Sequence, residues 1–168
     1  MKIGMHNRNL FVAGILTGFS LLMSLGAIAQ PNAPMSPCGP KAQLPAEVST
    51  NVGADARCFE LRMYTIDTDR IGKDGFEGGI DELHKRFREG EVALFEKLGA
   101  EVIGVWQDVE KPNTLVYMLA FRDRAARDEM WAKFGSAPEW TELRTKYNVP
   151  IQRPQVFMLS NTDYSDLK

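Results

Sequence analysis

Hydrophobic residues follow two different periods along this chain. From Phe59 to Ile66 they alternate, with Phe59, Leu61 and Met63 on one side and Glu60, Arg62 and Tyr64 on the other, as in a half-buried strand. The side carrying Phe59, Leu61 and Met63 is expected to lie against the protein's own helices. After a polar, glycine-containing loop at 67–79, Ile80, Leu83, Phe87, Leu94, Phe95 and Leu98 recur at the offsets of one helical face, and Gly99 is placed to end that helix. The period then returns to two. Val102 to Val109 and Leu115 to Phe121 read as strands, and Glu110-Lys111-Pro112-Asn113 between them is turn chemistry for an antiparallel hairpin. Asp123 can cap a helix running through Met130, Trp131 and Phe134 to Gly135. Pro138 suits the first turn of another helix ending near Tyr147, and Gln155 to Ser160 supplies a fourth strand.

Strand, helix, strand, strand, helix pair, strand is the order of an α+β, ferredoxin-like split βαβ fold, in which helices cover one face of a four-stranded antiparallel sheet. The second face is then expected to be bare. It would carry Tyr64, Trp106, Val116, Met118 and Phe157 together with the charged Glu60 and Arg62. Apolar area of that extent marks a partner surface, and a two-fold homodimer is the commonest way to cover one.

Upstream of the domain the pattern changes. Residues 1–29 have a positive start at Lys2 and Arg8, an apolar stretch from Leu10 to Leu25, and small residues at Ala27-Ile28-Ala29, which together predict a cleavable signal peptide. The apolar run is broken by Gly14, Thr17, Gly18 and Ser20, so no membrane span is expected to remain after cleavage. The protein is therefore expected to be exported, to the periplasm or beyond. Residues 30–57 hold five of the nine prolines and no apolar period, which predicts a flexible arm, leaving 58–168 as the folded domain.

Charge narrows the partners. With Lys2 and Arg8 removed, 18 basic side chains face 22 acidic ones, a formal charge of −4, and the two signs are interspersed rather than clustered. Nucleic acid is not expected to bind. The two cysteines, Cys38 and Cys58, both follow the signal peptide and belong to a compartment that permits disulfides. They are expected to pair, two free thiols being the other possibility, because spacing alone does not establish bridge geometry.

The ordered set Phe59-Glu60-Leu61-Arg62-Met63-Tyr64-Thr65, Gly104-Val105-Trp106, Pro112-Asn113 with Val116-Tyr117, Phe121-Arg122-Asp123, and Ala137-Pro138-Glu139-Trp140 resembles the NIPSNAP family of the dimeric α/β-barrel superfamily. The resemblance implies a homodimer whose two sheets face each other in a barrel, each protomer keeping a cleft between sheet and helices. It implies no particular reaction. Related branches of that superfamily include haem-dependent enzymes, cofactor-free monooxygenases acting on aromatic compounds, and small-molecule binding modules. The chain departs from the family pattern at Asp67 to Gly79, a longer and more acidic loop than the usual short turn.

The candidate ligand-binding residues are Arg62, Tyr64, His84 and Trp106. His84 is the only histidine after the signal peptide, so it would be the base or the axial ligand of a haem; the other reading is a boundary histidine satisfied by Asp81 or Arg88. Glu60 and Arg62 can pair with each other or with a partner subunit, either as a polar floor or as an ion pair fixing register. Trp131 and Trp140 sit at helical spacing and are expected to be packing. Asp67, Asp69, Gly72 and Asp74 hint at a calcium loop, but Ile71 and Gly78 occupy positions that need oxygen ligands, so no metal is expected. The sequence has no phosphate loop, nucleophile elbow or cysteine pair of metal-ligand spacing. Catalytic residues are not assignable. No cofactor is expected, haem with His84 being the one candidate. The leading expectation is a dimer that binds a small apolar or aromatic molecule. The alternatives are a non-catalytic protein-interaction module of the cell envelope and a haem-binding enzyme or carrier.

Overall fold

In the computed structural model, which describes residues 38–167, strand β1 (Cys58–Thr65) lies at the centre of the sheet. The expected signal peptide and residues 30–37 lie outside the described residues. β1 pairs antiparallel with β3 (Thr114–Phe121) from Cys58↔Phe121 to Thr65↔Thr114, and on its other edge with β4 (Gln155–Ser160) from Cys58↔Ser160 to Met63↔Gln155. β2 (Glu101–Gln107) pairs antiparallel with β3 and completes the order β2-β3-β1-β4. The hairpin turn is held by the Asp108 carboxylate, which accepts from the backbone N–H groups of Glu110 and Lys111, each at 3.0 Å. Helices α2 (Ile80–Arg86), α3 (Val92–Lys97), α4 (Arg124–Ser136) and α5 (Pro138–Lys146) fill the two crossovers. This is the four-stranded α+β arrangement that the residue pattern predicts.

Local chemistry explains the boundaries. The Asp123 side chain accepts from the Ala126 N–H at 2.9 Å and starts α4, Pro138 opens α5, and Gly99 takes a φ of 103° after α3, a region open to glycine at little cost. The single expected helix over 80–98 is interrupted, however. Phe87–Glu91 form a wide turn in which the Val92 N–H bonds back to the Phe87 carbonyl, five residues earlier, so one extra residue is accommodated there. Gly90 sits in this turn against Leu143, and a Cβ at that position would lie 3.0 Å from the leucine side chain.

The two faces of β1 are the reverse of the expected ones. Cys58, Glu60, Arg62 and Tyr64 share a face with Leu115, Tyr117, Leu119 and Phe121, and this is the face beneath the helices, packed against Leu83, Phe87, Leu94, Phe95, Met130 and Phe134. Leu61 and Met63 point to the open side with Val116, Met118, Phe157 and Trp106. Trp106 is 48% exposed, and a Cβ on Gly104 would come within 2.5 Å of its ring, so glycine there lets the indole lie along the open face. Alternation separates the two sets of residues but does not say which set is inside when both are partly apolar. The charges on Glu60 and Arg62 pointed outward, and their mutual pairing is what allows them in.

The proline-rich segment is seated on the domain from Cys38 onward. A disulfide joins Cys38 to Cys58, Val52 bridges Thr162, and the Gly53 N–H donates to the Asn161 carbonyl at 3.1 Å. Ala56 and Val52 are buried, and a single-turn helix α1 (Ala46–Ser49) lies between them and the disulfide. Phe59 is buried although it belongs to the open face, with the Arg57 guanidinium 5.3 Å over its ring. Reducing or removing this disulfide, in Cys38→Ser, is expected to lower unfolding free energy by about 3 kcal/mol, from the entropy of a loop of 20 residues. Urea unfolding of the variant beside the oxidised parent measures it.

Candidate functional site

The face of β1 turned toward the helices carries an unusually polar cluster for a core. Glu60 has no exposed surface. One of its oxygens accepts from Arg62 Nε at 2.7 Å and Arg127 Nη2 at 2.8 Å; the other accepts from Arg127 Nε at 2.8 Å and Trp131 Nε1 at 2.6 Å. Arg62 and Glu60 are two residues apart on one strand, which puts them on the same face, while Arg127 and Trp131 are one turn apart on α4. The Arg62 guanidinium also lies over the Trp131 ring at 3.7 Å, a cation–π contact shielded from water. Burial would push the Glu60 carboxyl up, but hydrogen bonds from Arg127 and Trp131 and the charge and hydrogen bond of Arg62 outweigh it and hold the group below the usual carboxylate range.

Two phenols extend the cluster. Arg62 Nη1 donates to the Tyr64 hydroxyl at 3.2 Å, and the Tyr117 hydroxyl donates to the same oxygen at 2.7 Å. Each tyrosine brings one proton and only one is used between them. Whichever way the pair is oriented, one phenolic proton has no acceptor among the described residues. Burial raises both phenols above their ordinary range, so both stay protonated at neutral pH.

Glu91, the last residue of the wide turn, adds a second carboxylate. It is buried and accepts from Arg86 Nε at 2.7 Å. Burial raises its carboxyl, with Arg86 and then Arg62 drawing it back down; one hydrogen-bonding partner compensates less than the three around Glu60. Phe87, the first residue of the same turn, stands edge-on to Tyr117 at 5.1 Å and to Tyr64 at 6.3 Å. Outside Phe87 is a groove of about 310 Å³ lined by His84, Phe87, Arg88, Val92 and Val105. A larger groove of about 450 Å³ between the wide turn and α5 is flanked by the exposed pairs Lys97–Glu139 and Lys146–Glu89 and lies away from the buried cluster.

The structure therefore brings Arg62 and Tyr64 together in the buried cluster and sets His84 at the groove outside it. Trp106 is separate, on the opposite face of the sheet. His84 Nε2 meets Gln107 Oε1 at 2.8 Å, a partner on β2 rather than Asp81 or Arg88. Among the described residues no three or more His, Cys, Asp or Glu side chains converge as a metal site would. Sequence reasoning passed over Glu91, Arg86 and Arg127. Glu91 was discoverable: it lies four residues after Phe87 and four before Phe95, inside the apolar stripe.

The family model for NIPSNAP matches residues 59–166. A crystal structure of a NIPSNAP family protein of unknown function from Agrobacterium tumefaciens superposes with a TM-score of 0.58 at 17% identity, covering 70% of this chain and 99% of the other. A second NIPSNAP family protein from the same organism gives 0.53 at 21% identity, covering 66% and 98%. An uncharacterized NIPSNAP-like domain protein from Burkholderia xenovorans gives 0.51 at 21%, covering 64% and 87%. No curated protein matches.

Removing the Glu60 charge leaves Arg62 and Arg127 facing each other without it. Glu60→Gln and Glu91→Gln are each expected to destabilise the fold by about 3–5 kcal/mol, since each leaves a guanidinium without its counter-charge, measured by chemical unfolding. Because the folded-state pKa of Glu60 is lowered, its contribution is fully present above the ordinary carboxylate range and is lost as pH falls through it. The parent should therefore lose stability below about pH 4 more steeply than Glu60→Gln.

Proposed function

Because the chain belongs to the NIPSNAP family, with the family model spanning residues 59–166, we propose that it is an exported homodimer that binds a small, partly apolar molecule at the His84 groove. The observation that carries this reading is the layering of that site. A groove of about 310 Å³ with apolar walls at Val92 and Val105 has Phe87 as its floor, and directly behind Phe87 stand the Tyr64–Tyr117 hydroxyl pair and Arg62. Sites for small molecules combine an apolar wall with a few converging polar groups in this way. His84 and Arg88 give the mouth hydrogen-bonding and cationic character.

The open face of the sheet supports the dimer. Trp106, Phe157 and Leu159 are 48%, 46% and 40% exposed, and half-buried Leu61, Met63, Val116 and Met118 lie between them. Export agrees with the Cys38–Cys58 disulfide, which belongs to an oxidising compartment.

Two measurements test these parts separately. In sedimentation velocity the processed protein is expected to run as a dimer and Trp106→Glu as a monomer; a monomeric parent would remove the dimer. In a thermal-shift screen of aromatic and lipid-like compounds, at least one class should raise the melting temperature of the parent, since binding to the native state stabilises it. Val105→Trp, which fills the groove, should abolish that rise. A rise that survives Val105→Trp would place the ligand elsewhere.

A further inference from the structure

Space between the sheet and the helices is filled. Phe95 stacks on Tyr117 at 5.6 Å and on Phe134 at 4.9 Å, and Phe87 closes the groove side. A ligand reaching the tyrosine pair must therefore displace a side chain. The side chain between the groove and the tyrosine pair is Phe87, which begins the wide turn that Glu91 ends. That turn holds one residue more than a regular helical turn needs, between α2 and α3.

Resting on the reading that the His84 groove admits a ligand, we propose that this ligand carries a carboxylate, that the carboxylate replaces the one from Glu91 in the buried cluster, and that the wide turn Phe87–Glu91 is the door.

Three features fit a carboxylate. The leftover phenolic proton of the Tyr64–Tyr117 pair needs an acceptor, and Arg62, which already contacts Tyr64, supplies a fixed positive charge beside it. Buried Arg86 and half-buried Arg62 and Arg127 face Glu60, Glu91 and, at the solvent end, Asp128, so exchanging Glu91 for a ligand carboxylate keeps that balance unchanged. Of the two carboxylates Glu91 is the exchangeable one, since Glu60 accepts four N–H bonds and Glu91 one. A neutral amide or alcohol would satisfy the phenol but leave Arg86 and Arg62 without the charge that Glu91 withdrew. An apolar body attached to the carboxylate would then lie where Phe87 was, against Val92 and Val105.

The test uses the processed protein and matched probes: benzoate, phenylacetate and 3-phenylpropionate, each beside its amide, with binding followed by calorimetry and by the fluorescence of Trp131, which stacks on Arg62. At least one acid should bind about tenfold or more tighter than its amide. Glu91→Gln, which removes the competing charge, should tighten that acid by about threefold or more and leave the amide unchanged. In the wild-type protein, hydrogen exchange at residues 87–91 should change with the acid and not with the amide, so the door is tested even if Glu91→Gln does not fold. Amides binding as well as acids would overturn the carboxylate while leaving the binding reading standing. Glu91→Gln leaving acid affinity unchanged or weaker, or exchange at 87–91 that ignores the acid, would overturn the displacement. No binding by any probe of either series would overturn this proposal, and a screen of other compound classes that still raised the melting temperature would keep the groove.

Discussion

A carboxylate without solvent contact, on the central strand β1, sets the terms for most of this domain. Taking Glu60 out of water costs several kcal/mol unless its lone pairs are filled and its charge is balanced. Arg62 comes from the same strand face, two residues on, and Arg127 and Trp131 come from adjacent turns of α4. The consequence is geometric. α4 can cross the sheet only where Arg127 and Trp131 reach Glu60 together, so the ion cluster fixes the registry of a helix over a sheet in a way that Leu and Phe contacts, which tolerate sliding, do not. The Trp131 ring then covers Arg62 and closes the cluster from the solvent side.

From that fixed point the remaining polar groups follow as a chain of contacts. Arg62 holds Tyr64, Tyr64 holds Tyr117, and Phe87 and Phe95 pack on the phenol rings. Glu91 and Arg86 form a second, separate pair at the wide turn. The first half of this chain is over-determined, each group having several partners. The second half is not: Glu91 has one hydrogen-bonding partner, and the helix that bears it is interrupted at Gly90. Local opening is drawn from segments of irregular backbone; on the outer side of this one, Glu89 accepts from Lys146 and Tyr147. The over-determined chain thus ends at the tyrosine pair, behind the groove that contains His84, and the separate Arg86–Glu91 pair belongs to the wide turn that Phe87 begins.

Much of the architecture was legible in the residues. The period-two runs, the Pro112-Asn113 turn, the Asp123 cap, Pro138 at a helix start and Gly99 at a helix end each act through local backbone chemistry, and each element lies within a residue or two of its expected place. What was not legible depends on partners distant in sequence. Glu60 and Arg62 look like surface residues until Arg127, 67 positions away, is brought over them. The wide turn was hidden for a related reason: Phe87 and Leu94 keep regular helical spacing across it, and only the presence of Glu91 within that stripe betrays it. The proline-rich segment lacks any apolar period, yet Val52, Ala56 and a disulfide suffice to seat it from Cys38 onward.

The two faces of β1 solve opposite problems, and the solution on one constrains the other. On the helix side, the buried carboxylates draw their partners from within the chain. On the open side, Leu61, Met63, Val116, Met118, Trp106 and Phe157 present apolar surface with few hydrogen-bonding groups. A sheet two residues thick in meaning, polar beneath and apolar above, cannot slip its central strand by one position, because that would carry Glu60 and Arg62 to the open face and bring Leu61 and Met63 under α4. The disulfide at Cys58 ties the first residue of that same strand to the proline-rich segment, at the end where the Glu60 cluster lies. The strand is therefore held in register twice, by charge beneath and by covalent attachment at its start, which leaves the helix interruption at Phe87–Glu91 as the place where the core can give way without losing the sheet.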